Sequence, residues 1–96
     1  MKEVLIYENR KTDPIVWDIS TKKLREAAFL KLFKLLHDEW GVYSTGYWGD
    51  DEREQAQQKA LYDKAEGGDG HAAEALLKMR QSYEYETYHV SEVETS

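Results

Sequence analysis

The feature that most constrains this chain is a long segment with helical periodicity, residues 22–40. Projected at 100° per residue, its apolar side chains cover about half of the helix circumference. These side chains are Leu24, Ala28, Phe29, Leu32, Phe33, Leu35, Leu36 and Trp40. One neighbouring element cannot cover so wide a surface, so the segment predicts the central helix of a packed domain. Ser20 or Thr21 is a suitable N-cap, and Gly41 supplies the C-terminal stop.

Two short runs rich in β-branched and aromatic residues precede this helix and predict a hairpin. The strands cover about residues 3–8 and 15–19, with a polar loop between them. Alternation along the second strand places Ile15, Trp17 and Ile19 on one face. We expect that face to pack on a helix.

The rest of the chain predicts two helices and a strand, at about 51–66, 70–81 and 83–93. The helix at 51–66 is poorly amphipathic and is expected to lie on the surface, with Gln58 away from its weakly apolar side. That side carries Ala56, Ala60, Leu61 and Ala65. The last segment alternates with period two, with a change of phase near Thr87 that indicates a bulge or register change.

These segments predict an α+β fold in which a three-stranded antiparallel sheet packs on three helices in the order β-β-α-α-α-β. A chain of 96 residues has room for one hydrophobic core, so we expect residues 1–96 to form a single domain.

Composition excludes several classes of protein. The chain has no cysteine, which rules out disulfides, thiolate metal sites and a cysteine nucleophile. Its longest apolar-leaning stretch, residues 27–36, is interrupted by Lys31 and Lys34 and is shorter than the ~20 residues that span a bilayer. We therefore expect a soluble cytoplasmic protein with no membrane partner.

The net charge of −6 divides unevenly along the chain. Residues 1–37 carry +3 and residues 38–96 carry −9. Such asymmetry can create a dipolar surface that orients a partner, and the alternative is ordinary solubility charge on exposed faces.

Motifs for catalysis and cofactor binding are absent from the sequence. It contains no P-loop, dinucleotide fingerprint, zinc-binding helix or EF-hand loop. The three histidines, His37, His71 and His89, fall in different predicted elements, and His37 and Asp38 are expected to point about 100° apart on a helix. We therefore predict no catalytic residue, no metal site and no cofactor, and a protein that is not an enzyme.

Two loops carry acidic residues that could cap helices or interact with ions. The acidic residues after position 49 are expected to cap the helix that follows, with Asp51 and Glu54 spaced as a capping box, although carboxylates also suit Ca²⁺ or Mg²⁺. In the turn at 67–70, Asp69 is expected to cap the next helix and to repel phosphate from its N-terminus.

The loop at 42–49 combines three aromatic residues with two glycines. Tyrosine and tryptophan are enriched at binding hot spots, so this loop and the acidic residues after it predict a surface that binds another protein. The predicted partner-binding residues are Tyr43, Tyr47, Trp48, Asp50, Asp51 and Glu54. The alternative is that the aromatic rings fold over the end of the central helix and complete the core. An exposed edge strand could also pair two copies into a homodimer.

Nucleic acid is a second, less favoured partner. The first helix carries basic residues that could contact phosphates, namely Lys22, Lys23, Lys31 and Lys34. The acidic half of the chain could instead mimic DNA and occupy a basic groove on a host protein. Net negative charge opposes direct binding to DNA.

The chain resembles two kinds of known protein, and each resemblance implies something about its structure or role. Residues 60–77, with a Gly-Asp turn at 68–69, resemble one tetratricopeptide-like helical hairpin. The whole layout is similar to small uncharacterised proteins of tailed bacteriophages, especially those with actinobacterial hosts. The residues that carry this resemblance are Phe29-Leu30-x-Leu32-Phe33-x-Leu35-Leu36, Trp40-Gly41-Val42-Tyr43-Ser44, Gly68-Asp69, Leu76-Leu77 and Tyr83-Glu84-Tyr85-Glu86. The second resemblance implies a small interaction protein that binds a host or phage protein in the host cytoplasm, as a host-takeover or anti-defence factor would.

Overall fold

The structure is a computed structural model that describes residues 1–9, 12–39, 41, 51–79 and 88–94. Its elements follow the predicted order β-β-α-α-α-β. They are β1 (Lys2–Asn9), β2 (Thr12–Asp18), α1 (Lys22–Asp38), α2 (Glu52–Glu66), α3 (Gly70–Met79) and β3 (Tyr88–Val93). The predicted α+β class with a three-stranded antiparallel sheet is confirmed.

The sheet has the strand order β2-β1-β3, so β1 is its central strand. Leu5 pairs with Trp17 on one side and with Val90 on the other. Leu5 and Tyr7 are fully buried against the helices, and Ile15 and Trp17 pack at the margin of the same core. The predicted apolar face of the second strand is therefore the face that meets the helical layer.

The central helix α1 begins where Thr21 Oγ1 accepts a hydrogen bond from the Leu24 N–H at 3.1 Å. Its buried stripe forms the middle of the core and consists of Ala28, Phe29, Leu32, Phe33 and Leu36. The helix ends at Asp38, two residues before the predicted end, and Gly41 follows with a φ of 62°. That left-handed conformation suits glycine, as expected for a helix stop.

One predicted core residue of α1 is exposed. Leu24 retains 42% of its surface, because it lies roughly 110° around the helix from the centre of the buried stripe. Trp40, predicted for the same apolar surface, lies outside the described residues.

Helix α2 shows the largest departure from expectation. Its inner side is formed by Gln58, Leu61, Tyr62 and Ala65, whereas Ala56 and Ala60 are exposed. The weak alanine pattern misled the prediction, because the larger Leu61 and Tyr62 side chains determine which side faces the core. Gln58 is tolerated there since its Nε2 donates to Glu54 Oε1 at 3.2 Å.

The turn between α2 and α3 forms as predicted. Gly68 has a φ of 101°, and Asp69 Oδ1 accepts the Ala72 N–H at 3.0 Å, which caps α3. The two helices pack against each other, and α3 also packs on α1. Gly70 lies at that contact, where an ideal Cβ would be only 2.6 Å from the carbonyl carbon of Glu26.

The third strand is described from Tyr88, where the prediction began at residue 83. Residues 80–87, including the predicted change of phase near Thr87 and the predicted end of the last helix, lie outside the described residues. Tyr88 is buried, and its ring meets Phe29 edge-on with 5.6 Å between centroids.

Candidate functional site

A groove of about 330 Å³ lies between β2 and α1 among the described residues. Its floor is apolar and consists of Ile15 and Trp17 from the strand and Leu35 from the helix. All three side chains are only partly buried, although they pack against the core. The groove is widely open, so it suits a chain segment better than an enclosed small molecule. We call it the β2–α1 groove.

Charged residues of α1 form the rim of this groove, and their signs are segregated. Lys31 and Lys34 lie before Leu35, and Asp38 and Glu39 lie after it. Both lysines are exposed, and in the described ranges no carboxylate lies within 4 Å of either ammonium group. The rim therefore offers two available positive charges at one end and two negative charges at the other.

The backbone beside the groove is the outer edge of β2. The Ile19 N–H donates to Glu3 O at 3.0 Å, which makes these two residues a hydrogen-bonded antiparallel pair. Since such pairs alternate along a ladder, Ile15 and Trp17 direct their N–H and C=O groups toward β1. Val16 and Asp18 direct theirs away from the sheet. No described strand pairs with this edge, so it is able to receive another strand.

Pro14 belongs to the same outward set as Val16 and Asp18 but has no N–H. Proline in a strand is typical of an edge position. An added strand could therefore form complete hydrogen-bonded pairs with Val16 and Asp18 only.

The structure describes only part of the predicted partner-binding set. Asp51 and Glu54 belong to the start of α2, where Asp51 Oδ1 accepts the Glu54 N–H at 2.7 Å. This cap is half of the predicted capping box, because the Glu54 carboxylate accepts from Gln58 instead. The remaining members, Tyr43, Tyr47, Trp48 and Asp50, lie outside the described residues.

The predicted basic residues of α1 are all exposed. Lys23, Lys31 and Lys34 lie on one side of the helix, whereas Lys22 is turned roughly 100° from Lys23. Only Lys31 and Lys34 line the β2–α1 groove.

His37 connects α1 to α2 through a chain of short polar contacts. Its Nδ1 lies 2.7 Å from Asp38 Oδ1, and its Nε2 lies 2.7 Å from the Tyr62 hydroxyl. The Tyr62 hydroxyl in turn donates to Glu66 Oε1 at 2.8 Å. The expectation that His37 and Asp38 point apart is wrong, because the flexible side chains at the helix end turn toward each other.

The phenol of Tyr62 keeps the proton that it donates to Glu66. Burial, followed by the hydrogen bond to Glu66, raises the pKa of Tyr62 to about 12, so the phenol remains protonated. Both ring nitrogens of His37 are engaged, and a general base needs one of them to face a substrate.

We predict that Tyr62→Phe lowers the free energy of unfolding by about 1–2 kcal/mol, because it removes the hydroxyl that joins His37 to Glu66. The ring and its edge contact with Phe33, 5.7 Å between centroids, should be retained. Urea denaturation at neutral pH measures the change. A loss below about 0.3 kcal/mol would show that the hydroxyl does not stabilise the contact between the helices.

The other two histidines, His71 and His89, are exposed on α3 and β3. Across residues 1–9, 12–39, 41, 51–79 and 88–94, no three histidine or acidic side chains form a group that could hold a metal ion. None of the described helices is long and apolar enough to cross a membrane.

Sequence reasoning assigned Ile15, Trp17 and Leu35 to core packing and did not identify a groove. Two signals could have found it. Pro14 marks β2 as an edge strand, and Lys31 sits beside Leu35 at the margin of the apolar side of α1. The incomplete cover of Trp17 is a property of the packing and could not be found from the sequence.

Comparison of the chain with protein-family models, with curated proteins and with solved structures finds no match.

Proposed function

We propose that this chain is a small non-enzymatic interaction protein that binds an extended segment of a protein in the β2–α1 groove. The observation that carries the proposal is the position of an apolar groove beside the outer edge of a strand. Edge strands bind extended peptides through main-chain hydrogen bonds, and adjacent pockets take alternate side chains. Here the edge supplies Val16 and Asp18, and the floor supplies Trp17 and Leu35.

The aromatic loop extends this proposal. Residues 42–49 begin three positions after Glu39, which lines the groove. Tyr43, Tyr47 and Trp48, with the acidic start of α2, remain our prediction for a second contact region. The phage resemblance favours a host or phage protein as the partner.

A displayed library of short peptides tests the groove directly. We expect the selected peptides to lose at least tenfold in affinity for the Lys31→Glu/Lys34→Glu variant, because an acidic group on the peptide would meet the two available lysines. The Lys22→Glu/Lys23→Glu variant has the same change in charge on exposed residues outside the groove and serves as the matched control.

Nuclear magnetic resonance of the labelled protein locates the bound peptide. The expected result is that shift changes concentrate at Ile15, Trp17 and Leu35. Peptides that bind both variants equally, with shift changes elsewhere, would contradict the proposed site. A Trp48→Ala variant tests in the same assay whether the aromatic loop contributes.

Nucleic-acid binding is the second candidate, favoured by the exposed Lys23, Lys31 and Lys34 on one side of α1. Retention on duplex DNA should then weaken steeply between low and moderate salt, because bound lysines release counterions. Lack of retention at low salt would remove this candidate. Asp38 and Glu39 interrupt the basic side of the helix, which favours a protein partner.

A further inference from the structure

We propose that the segment bound in the β2–α1 groove is β2 of a second copy of this chain, so that the protein forms a two-fold symmetric dimer. This inference rests on the proposed function and names its partner. Three independent features of the described residues support it: the charge pattern of the rim, the donors of the strand edge and the shape of the groove floor.

The rim charges are self-complementary. Along α1 the order is Lys31, Lys34, Leu35, Asp38, Glu39. A two-fold axis near Leu35 would place the two lysines of one copy opposite the two acidic residues of the other. An isologous interface requires this kind of pattern, in which one patch complements itself.

The outer edge of β2 favours one register for the pairing of β2 with β2 of the second copy. Two β2 strands paired antiparallel about Trp17 bring Val16 of one copy opposite Asp18 of the other, and the reverse. Each pair exchanges two hydrogen bonds, so the two pairs form four. Pro14 donates no hydrogen bond to the second copy, because it has no N–H. The axis is perpendicular to the sheet, so both copies keep their helices on the same side and the two α1 helices run antiparallel.

The groove floor accounts for the apolar part of the contact. In this register Trp17 faces Trp17 of the second copy as a non-hydrogen-bonded pair, in which side chains approach closely. Both Trp17 side chains then lie between the facing Leu35 residues. The dimer would cover the two grooves with each other and join two three-stranded sheets into one of six strands.

Charge exchange between copies tests this arrangement. The Lys31→Glu/Lys34→Glu variant has an acidic rim, and the Asp38→Lys/Glu39→Lys variant has a basic rim. We expect each variant alone to dissociate at least tenfold more readily than the unaltered protein in analytical ultracentrifugation. An equimolar mixture of the two should form a heterodimer, because the opposite rims then attract. The Lys22→Glu/Lys23→Glu variant should dimerise like the unaltered protein.

A second variant keeps the proposal testable where a charge exchange impairs folding. Val16→Pro removes an outward N–H that makes no bond to β1, so it should abolish two of the four inter-strand bonds and weaken the dimer while circular dichroism stays unchanged. Three results would overturn the inference. The first is an unaltered protein that is monomeric up to millimolar concentration, and the second is a dimer whose stability does not change with Val16→Pro or with charge exchange. The third is a mixture of the two charge variants that forms no heterodimer.

The failure of this inference is distinguishable from failure of the proposed function. A monomer whose groove still binds the selected peptides retains the proposed function with a foreign partner. A monomer with no peptide at Ile15, Trp17 and Leu35 refutes both.

Discussion

Gly70→Ala is expected to lower the free energy of unfolding by about 2–3 kcal/mol, although alanine is the better helix former. Gly70 begins α3 at the point where that helix meets α1. An added Cβ would lie 2.6 Å from the carbonyl carbon of Glu26 and 2.8 Å from its Cα. These are main-chain atoms of a packed helix, so they cannot rotate away as a side chain would, and the two helices must separate.

Gly67→Ala is the matched control for this prediction. An ideal Cβ there lies 3.4 Å from Lys64 O, and its φ of −78° suits any residue. We expect this change to cost less than about 1 kcal/mol. Thermal and urea denaturation compare the two variants. Equal losses would show that α1 and α3 do not approach as closely as the structure has them.

Glu74→Gln is expected to lower stability by about 3 kcal/mol at pH 7. The Glu74 side chain is 14% exposed and accepts two hydrogen bonds from Arg25, at 2.8 and 2.9 Å. Lys78 lies 2.7 Å away but is more than half exposed and contributes less. The Arg25 guanidinium lies 5.4 Å from the ring centre of Phe29, so the ion pair also holds a cation against the core.

The effect of Glu74→Gln should depend on pH in a defined direction. The hydrogen bonds from Arg25 lower the pKa of Glu74 from 4.5 to about 2 in the folded protein. A lowered pKa contributes stability that is fully present above the unfolded value and is lost as the pH falls through the folded value. The difference between the unaltered protein and the variant should therefore be constant above pH 5 and shrink between about 4.5 and 2.

The control for the titration is Glu92→Gln, which changes an exposed carboxylate on β3. We expect an effect within about 0.5 kcal/mol at every pH. A Glu74→Gln effect that persists unchanged at pH 2 would contradict the assigned ion pair.

The Arg25–Glu74 pair also shows how the fold arranges the basic and acidic halves of the sequence at one contact. Arg25 belongs to the basic half of the sequence and Glu74 to the acidic half, and the packing of α1 on α3 brings them together. At this contact the fold joins the two halves instead of separating them. A linear sum of charges carries no information about such pairing.

Local signals predicted most of the fold. Thr21, Asp51 and Asp69 cap helices as their residue types and positions indicated, because a cap depends on neighbours within three residues. The alternation of Ile15, Trp17 and Ile19 identified the buried face of β2 for the same reason. These features need no knowledge of distant contacts.

Features that depend on distant contacts were missed. The prediction of which side of α2 faces the core was wrong. Tyr62 of α2 contacts Phe33 and His37 of α1, and no local sequence pattern indicates a contact between these two helices. The close approach at Gly70 and the groove beside Trp17 arise from how helices sit on the sheet. The sequence analysis placed the partner-binding site in the loop at 42–49 and the acidic residues after it, and named Lys31 and Lys34 only as part of a basic helix that could contact nucleic acid. The apolar floor between β2 and α1 was found only in the structure.

In our proposal, the outer edge of β2 and the groove beside it form the interaction surface. Residue-resolved amide hydrogen exchange tests this proposal, since Ile15 and Trp17 serve as internal controls whose N–H groups face β1. We expect the N–H groups of Val16 and Asp18 to exchange rapidly in dilute protein. They should become at least tenfold more protected when the concentration is raised or a selected peptide is bound, whereas Ile15 and Trp17 stay protected throughout. Unchanged exchange at Val16 and Asp18 while a partner or second copy is bound would show that this edge is not the interaction surface.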